Sequence, residues 1–175
     1  MTMNITMIKE QLPEYAKDIK LNLSSVLKVE GELNEKQIAC IASASAYSTK
    51  NKVLIGALEE EYGSILEDAD INAAKASASI MAMNNVYYRF THLVGDAEFM
   101  RMPAKLRMNV IANPGIDKVN FELMSLAVSA INGCGLCMES HTKVILKAGI
   151  SRAAIQHAVR IASVINAAAQ VLEII

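Results

Sequence analysis

Residues 122–141 read ELMSLAVSAINGCGLCMESH, and this stretch carries the strongest indication of the fold. Asp117 can cap a helix that includes its first half, and the Asn-Gly dipeptide at 132–133 ends that helix. A second helix starts near Cys134, and Gly149 fits the residue just past its end. The stretch therefore predicts two helices joined by a short turn, which can fold the first helix back against the second.

The rest of the chain has the same helical character. Apolar spacing and capping residues predict further helices over residues 11–27, 35–47, 53–66, 70–88 and a last segment that Ser151 caps. Asn34 and Gln37 have the spacing of a capping box, and Pro13 fits the first turn of its helix. Residues 91–104 are less periodic and predict a connection, and no stretch alternates like a β-strand. The predicted fold class is therefore all-α, a compact helical domain.

The composition agrees with a folded helical protein. Of 175 residues, 53% are hydrophobic and 20% are charged, and aromatic residues make up only 5%, which is low for a sheet protein. The length suits one core, so we expect a single domain over residues 1–175, with the C-x-x-C motif region at 117–149. The formal net charge of -1, without a basic run, argues against binding to nucleic acid or to an anionic membrane surface.

The sequence also bears on the compartment. The N-terminus has no positively charged region followed by an apolar run, so we predict no signal peptide. The most apolar segment, residues 161–172, is interrupted by polar side chains and falls short of the roughly 18 residues that a membrane span needs. We therefore expect a cytoplasmic protein, in which the three cysteines are not permanent structural disulfides.

Two of the cysteines form the motif Cys134-Gly-Leu-Cys137 at the start of a predicted helix. Residues three apart share one helix face, and one helical turn gives the Cα separation of roughly 4.4–6.8 Å that a disulfide needs. The unpaired N–H groups and the dipole of a helix N-terminus favour a thiolate, and in such motifs the thiol pKa falls to roughly 3.5–7.5. The spacing therefore favours redox chemistry.

His141 and Glu122 can complete a catalytic group around these thiols. His141 follows Cys137 by one helical turn, so its imidazole can stabilise the thiolate or take its proton. Glu122 lies on the preceding predicted helix, which the turn folds back, and its carboxylate can then orient His141.

Less specific interpretations remain open. The C-x-x-C motif and His141 can supply three ligands to a structural zinc ion, with Glu122 or His157 as the fourth, although no second C-x-x-C exists. The two cysteines can also be inert thiols. A thioredoxin-like frame is disfavoured because no strand is predicted.

The other cysteine and histidines carry weaker indications. Cys40 lies among small apolar residues and is interpreted as a buried core residue. His92 falls in the irregular stretch and is interpreted as solvated or satisfied within the core. His157 and Arg160 share the polar side of the last predicted helix, where a solvated face is favoured over a pocket.

Glu122, Cys134, Cys137 and His141 match the signature E-x11-C-x2-C-x3-H, and through it the chain resembles the alkyl hydroperoxidase D family. The wider superfamily includes carboxymuconolactone decarboxylases. Four further segments resemble the family's own sequences, so the resemblance covers nearly the whole chain: LPEYAKDIKLNLSS near the start, MNNVYYRF around residues 83–90, LRMNVIANPGI at 106–116 and NFELMSLAVSAINGC at 120–134.

The resemblance implies a fold and an activity. Members of the family are all-helical, cytosolic antioxidant proteins, commonly trimeric, that use a redox dithiol and no metal. They pass electrons to the peroxiredoxin of the alkyl hydroperoxide reductase system and show weak peroxidase activity of their own. The electrons come from dihydrolipoyl groups on a 2-oxoacid dehydrogenase acyltransferase, which dihydrolipoamide dehydrogenase recharges with NADH. We accordingly expect no bound cofactor.

The resemblance also implies a role for each site residue. Cys137 would be the peroxidatic cysteine, which forms a sulfenic acid and links to the peroxiredoxin, and Cys134 would be the proton donor and resolving cysteine. Glu122 and His141 would form a proton relay. Relatives often have a second histidine just before the second cysteine, where this chain has Leu136, so its direct peroxidase activity is expected to be weaker.

The assignment of the two thiols and the function each have an alternative. The helix dipole predicts that Cys134, nearer the helix start, is the more acidic and exposed thiol, whereas proximity to His141 favours Cys137, the assignment adopted here. The alternative functions are a non-redox enzyme of the decarboxylase-like branch and a non-enzymatic module with a zinc-clipped turn. Acid–base lactone chemistry gives no reason for a C-x-x-C at a helix start.

Overall fold

Apolar stripes and capping residues form helices throughout the part of the chain that the computed structural model describes, residues 3–29 and 31–175. These residues contain ten α-helices, a short 3-10 helix at Glu14–Ala16 and no β-strand, which confirms the all-α prediction. The helices are α1 (Ile5–Gln11), α2 (Lys17–Val26), α3 (Glu35–Thr49), α4 (Lys52–Tyr62), α5 (Asp68–Leu93), α6 (Ala97–Arg101), α7 (Asn109–Ala112), α8 (Lys118–Ile131), α9 (Gly135–Lys147) and α10 (Arg152–Ile174). Within those described ranges, no helix combines the length and apolar character needed to cross a membrane.

Three predicted helix starts are confirmed by their caps. The Asn34 side chain accepts a hydrogen bond from the Gln37 N–H at 2.9 Å, and the Gln37 side chain accepts one from the Asn34 N–H at 3.1 Å. Asp117 caps α8 and Ser151 caps α10 through the same kind of bond to the first turn. Each cap satisfies N–H groups that have no partner within the helix, so these local residues fix where the helices begin.

The helix predicted over residues 11–27 is divided in the structure. α1 ends at Gln11, the 3-10 helix follows Pro13, and α2 begins at Lys17. Leu12 is extended, with φ -69° and ψ 122°, because a residue before proline is pushed out of the helical region. Because the apolar spacing continues across this break, the sequence pattern predicted one continuous helix.

The cap predicted at Asp70 is wrong by one turn. Glu67 is the N-cap of α5, and Asp70 takes the third position of its capping box by accepting a hydrogen bond from the Glu67 N–H at 3.1 Å. α5 also continues to Leu93, so the predicted connection at 91–104 contains the end of α5 and the short helix α6.

The core is organised around α3, whose residues Ile38–Ala46 are all buried. Its small side chains, among them Ala39, Ala42 and Ala44, let α5, α8 and α10 pack closely against it. α8 is also held by α9 and α10. This packing places the α8–α9 pair directly beside α5.

Candidate active site

A tight turn between α8 and α9 places the two cysteines. Gly133 has φ +70°, a conformation in which glycine carries no side-chain penalty. Hydrogen bonds from the Asn132 N–H to the Val128 carbonyl at 3.0 Å and from the Cys134 N–H to the Ser129 carbonyl at 3.1 Å close the end of α8. α9 therefore begins at Gly135, directly after this turn, and Cys134 is its N-cap.

A polar network from α5 holds this turn. The Asn85 carboxamide donates to the Ser129 hydroxyl at 2.9 Å and accepts from the Asn132 side chain at 3.0 Å. Arg89 donates to the Asn132 carbonyl at 2.7 Å. Asn85 and Arg89 are one helical turn apart on α5, a spacing that could have indicated a shared face, but their partners on the other helix were not predictable.

A disulfide joins Cys134 and Cys137, whose Cα atoms are 5.3 Å apart. The sulfur of Cys134 also accepts the N–H of Cys137 at 3.3 Å, so it caps α9. Cys134 is completely buried, whereas Cys137 retains 6% exposure and lines a cavity. The helix-dipole argument predicted that Cys134 is the more exposed thiol. This prediction is wrong, because the turn buries Cys134 at the start of α9.

Glu122 and His141 form a buried hydrogen-bonded pair at the cavity that Cys137 lines. The Nδ1 atom of His141 lies 2.6 Å from one carboxylate oxygen of Glu122, and the Lys118 ammonium lies 3.0 Å from the other. Burial raises the pKa of Glu122, but the hydrogen bonds and charges of His141 and Lys118 outweigh it and hold this pKa below its ordinary value. The carboxylate is therefore ionised near neutral pH and fixes the orientation of the imidazole.

Cys137, Glu122 and His141 all line one cavity of about 510 Å³ between α5, α7, α8 and α9. Its walls are mainly apolar: Met81, Tyr88, Met108, Ile111, Leu136 and Val144. The other ring nitrogen of His141, Nε2, lies 3.3 Å from the sulfur of Met81. The cavity therefore combines one cysteine sulfur, one buried acid–base pair and room for an apolar group.

A second groove, of about 580 Å³, is larger and more polar. Tyr47, Lys75 and Arg89 contribute to its walls, but neither cysteine nor the Glu122–His141 pair does. The smaller cavity is therefore the candidate active site.

Comparison with known proteins agrees with this geometry. Residues 97–174 match the model of the carboxymuconolactone decarboxylase family. The chain is 57% identical, over 93% of its own length and 93% of the relative's, to alkyl hydroperoxide reductase AhpD of Coxiella burnetii. It is 53% identical to AhpD of Rhodopseudomonas palustris and 54% identical to AhpD of Azorhizobium caulinodans, each over 98% of this chain and 94% of the relative.

The chain belongs to the AhpD family. All four predicted site residues lie in the part of the chain that the wider family's model matches, residues 97–174. In this member of the AhpD family, the structure brings them together at one turn and one cavity. The predicted resemblance is thereby confirmed.

The remaining titratable candidates lie elsewhere in this AhpD-family structure. Cys40 is buried in α3, as predicted, and burial, reinforced by the Asp70 charge, raises its thiol pKa to about 12. Arg160 is exposed, but His157 is 7% exposed and its Nε2 lies 2.8 Å from the Val26 carbonyl. Arg160 is therefore solvated as interpreted, but His157 is not, and its hydrogen bond joins α10 to α2. Both side chains also line a groove of about 360 Å³, as the pocket alternative expected.

His92 is exposed, which agrees with its interpretation as a solvated residue, but its place in the fold differs from expectation. It lies in the last turn of α5, not in an irregular stretch, and its ring approaches Gly135 at the start of α9. Neither His92 nor His157 joins the cysteines in a ligand set, and in residues 3–29 and 31–175 no three His, Cys, Asp or Glu side chains converge as metal ligands. The zinc-clip alternative gains no support from this arrangement.

Proposed function

We propose that this protein is an antioxidant dithiol oxidoreductase that reduces alkyl hydroperoxides and recycles a partner peroxiredoxin through the Cys134–Cys137 pair. The observation that carries the proposal is a disulfide at a helix start whose Cys137 opens onto an apolar cavity, which the hydrogen-bonded Glu122 and His141 side chains also line. Identity of 57% to alkyl hydroperoxide reductase AhpD of Coxiella burnetii supports the same reaction class.

In the first step, the Cys137 thiolate attacks the terminal oxygen of the hydroperoxide. The S–O bond forms as the O–O bond breaks, so sulfur is oxidised to a sulfenic acid and the alkoxide leaves. His141, held by Glu122, accepts the thiol proton beforehand and returns it to the alkoxide, which departs as an alcohol. Cys137 is preferred for this role because it lines the cavity while Cys134 is buried.

In the second step, Cys134 attacks the sulfenic sulfur and water leaves. The product is the disulfide present in the structure, whose Cα atoms are 5.3 Å apart, within the usual range for a disulfide. A dihydrolipoyl dithiol then reduces the disulfide by thiol–disulfide exchange, supplying two electrons and two protons. The reduced pair can equally reduce an oxidised peroxiredoxin.

The apolar cavity supports an alkyl hydroperoxide as substrate. Leu136, which stands where relatives often have a histidine, lines this cavity and adds to its apolar wall. Direct peroxide reduction then depends on the single Glu122–His141 relay, whereas exchange with lipoyl groups and peroxiredoxin depends on it less. We therefore propose that recycling of the peroxiredoxin is the stronger activity.

The proposed partners follow the same electron path. They are the peroxiredoxin of the alkyl hydroperoxide reductase system as acceptor, a lipoylated acyltransferase as donor, and dihydrolipoamide dehydrogenase as the NADH-linked source. We propose that the protein works in the cytoplasm as a homotrimer without a bound cofactor, in keeping with the family it belongs to.

A coupled assay tests the proposal. Oxidation of NADH is followed with dihydrolipoamide dehydrogenase, lipoamide and cumene hydroperoxide, first with the protein alone and then with the peroxiredoxin added. We expect slow, protein-dependent oxidation of NADH that accelerates with the peroxiredoxin. Oxidation that does not depend on the protein under either condition would contradict the proposal and would favour the non-redox, decarboxylase-like alternative.

A further inference from the structure

Asn84 is a buried polar residue of the cavity that the proposed reaction does not yet use. It is 4% exposed and lies on α5 between Met81 and Tyr88, which line the cavity one helical turn to either side. Cys137 and His141 line the same cavity from α9. The Asn84 carboxamide is therefore, with the Tyr88 hydroxyl, a neutral polar group that α5 contributes to the cavity of the reactive sulfur.

The hydrogen bonding of Asn84 is incomplete. Its Oδ1 atom is buried without a partner, alone among the side-chain oxygens and nitrogens of the residues that the structure describes. Its Nδ2 atom meets only the sulfur of Met108 at 3.4 Å, and a thioether is a weak acceptor. A buried carbonyl oxygen without a partner costs free energy, so its presence at this position calls for an explanation.

The neighbouring asparagine shows the contrast. Asn85 is equally buried on α5, but both ends of its carboxamide are used, by Ser129 and Asn132. Asn85 therefore stabilises the turn between α8 and α9, whereas Asn84 lines the cavity with Cys137 and has an acceptor that no protein group uses.

We propose that Asn84 binds the hydroperoxide group of the substrate, with its Oδ1 atom accepting the hydroperoxyl O–H. This assignment rests on the proposed function and names a substrate-binding residue for it. The atoms balance, because the hydroperoxyl hydrogen stays on the terminal oxygen that passes to Cys137 and becomes the sulfenic acid hydrogen. The other oxygen leaves as alkoxide and takes its proton from His141.

The role of Asn84 is confined to one half of the catalytic cycle. A hydrogen bond to the hydroperoxyl group orients the terminal oxygen toward the sulfur and lowers the barrier to its transfer. Reduction of the disulfide by a dithiol involves no hydroperoxyl group, so the same carboxamide has nothing to bind in that step. Replacing a residue that contacts the substrate therefore slows only the reaction with the hydroperoxide, whereas replacing a residue with a general structural role slows both half-reactions.

The test is Asn84→Leu, which keeps the approximate shape of the side chain and removes its polar atoms. Prereduced protein is mixed with cumene hydroperoxide, and the loss of the dithiol is followed in a single turnover. We expect the second-order rate constant to fall about tenfold, the effect of one lost hydrogen bond. Alkylation of Cys137 by iodoacetamide and reduction of the disulfide by dihydrolipoamide should remain within about twofold of wild type.

Thermal unfolding provides the matched control. Asn84→Leu should unfold at or above the wild-type temperature, since it removes an unpaired buried oxygen, whereas Asn85→Leu should unfold at a lower temperature because it breaks two buried hydrogen bonds. Asn84→Ala, which lacks the carboxamide and adds no bulk, should repeat the kinetic result if the leucine variant does not fold.

Three outcomes would overturn the assignment. One is a wild-type rate of hydroperoxide reduction in Asn84→Leu, and another is an equal fall in all three rates. The third is a loss of stability like that of Asn85→Leu, which indicates that the oxygen has a structural partner such as a buried water. A wild-type dithiol that cumene hydroperoxide does not oxidise contradicts the proposed function itself, and the Asn84 assignment with it.

Discussion

The two sulfur atoms of the disulfide lie in different surroundings, and this difference predicts different variants. Cys137 lines the cavity, and Cys134 is buried at the N-cap of α9. Cys137→Ser should abolish hydroperoxide consumption and disulfide-linked capture of the peroxiredoxin. Cys134→Ser should still form a sulfenic acid, because its Cys137 is intact. Trapping with dimedone followed by mass spectrometry, together with non-reducing gels, distinguishes the two, and wild-type turnover in Cys137→Ser would exclude Cys137 as the nucleophile.

Glu122 predicts a dependence of stability on acid pH. Its folded-state pKa lies below the ordinary value, so the ionised carboxylate stabilises the fold above the unfolded-state pKa of about 4.3. That contribution is lost as the pH falls through the folded-state pKa. Glu122→Gln should destabilise the protein by about 1–3 kcal/mol near neutral pH and flatten the acid limb of its stability curve. Urea unfolding across this pH range measures both effects.

Glu139→Gln is the matched control for this prediction. Glu139 pairs with Lys143 one helical turn away, as Glu122 pairs with Lys118, but both side chains of the Glu139 pair are exposed. Solvent screens such a pair, so this variant should leave the acid limb nearly unchanged. An equal response of the two variants would show that burial of Glu122 does not strengthen its ion pair.

At the scale of single elements, the turn between α8 and α9 determines where the reactive sulfurs lie. Gly133 has φ +70°, and a Cβ atom there would meet nothing within 4 Å, so its replacement tests backbone conformation alone. Gly133→Ala should destabilise the protein by about 1 kcal/mol. Gly56→Ala, in the middle of α4 and equally free of contacts, should stabilise it by roughly 0.5–1 kcal/mol. Thermal unfolding of both variants is the measurement, and a shift in the same direction would contradict the backbone argument.

The element scale also shows where sequence patterns stop being informative. The caps at Asn34, Asp117 and Ser151 were predictable because each bonds to a residue three positions or fewer away. The break near Pro13 is also a local effect, of the proline on Leu12, but the continuing apolar spacing concealed it. The full length of α5 was not predicted. Helix identity was therefore predicted well, and helix length less so.

At the scale of the whole molecule, the small residues of α3 set the distance between the helices around it. Ala42 is completely buried where α5, α8 and α10 pack on α3. Ala42→Leu should destabilise the protein by about 1–3 kcal/mol, since the packed core has no room for the larger side chain. Ala153→Leu, at an exposed position on α10, should change stability by less than about 0.5 kcal/mol. Urea unfolding compares them, and equal stabilities would show that α3 is not closely packed.

The same unfolding curves bear on domain organisation. A single domain over residues 1–175 stays a prediction, and it requires one cooperative transition that the Ala42→Leu substitution shifts as a whole. Two separated unfolding transitions would indicate two domains and contradict this prediction.

The sequence by itself determined the helical class, the principal caps and the C-x-x-C pair at the start of α9. These depend on hydrogen bonds and side-chain spacing within one or two turns, which the order of residues specifies directly. The spacing of Glu122 and His141 also indicated a pair, although the distance between them depends on how the turn folds back.

Only the tertiary structure decided that Cys134 is buried, that His157 ties α10 to α2, and that α5 forms the opposite wall of the cavity. The contact between His141 and Met81, for instance, joins residues 60 positions apart. Such contacts depend on how closely helices pack across α3, and that packing is a property of the whole core. The unpaired Asn84 oxygen is the clearest example, because its sequence context is the same as that of the satisfied Asn85 beside it.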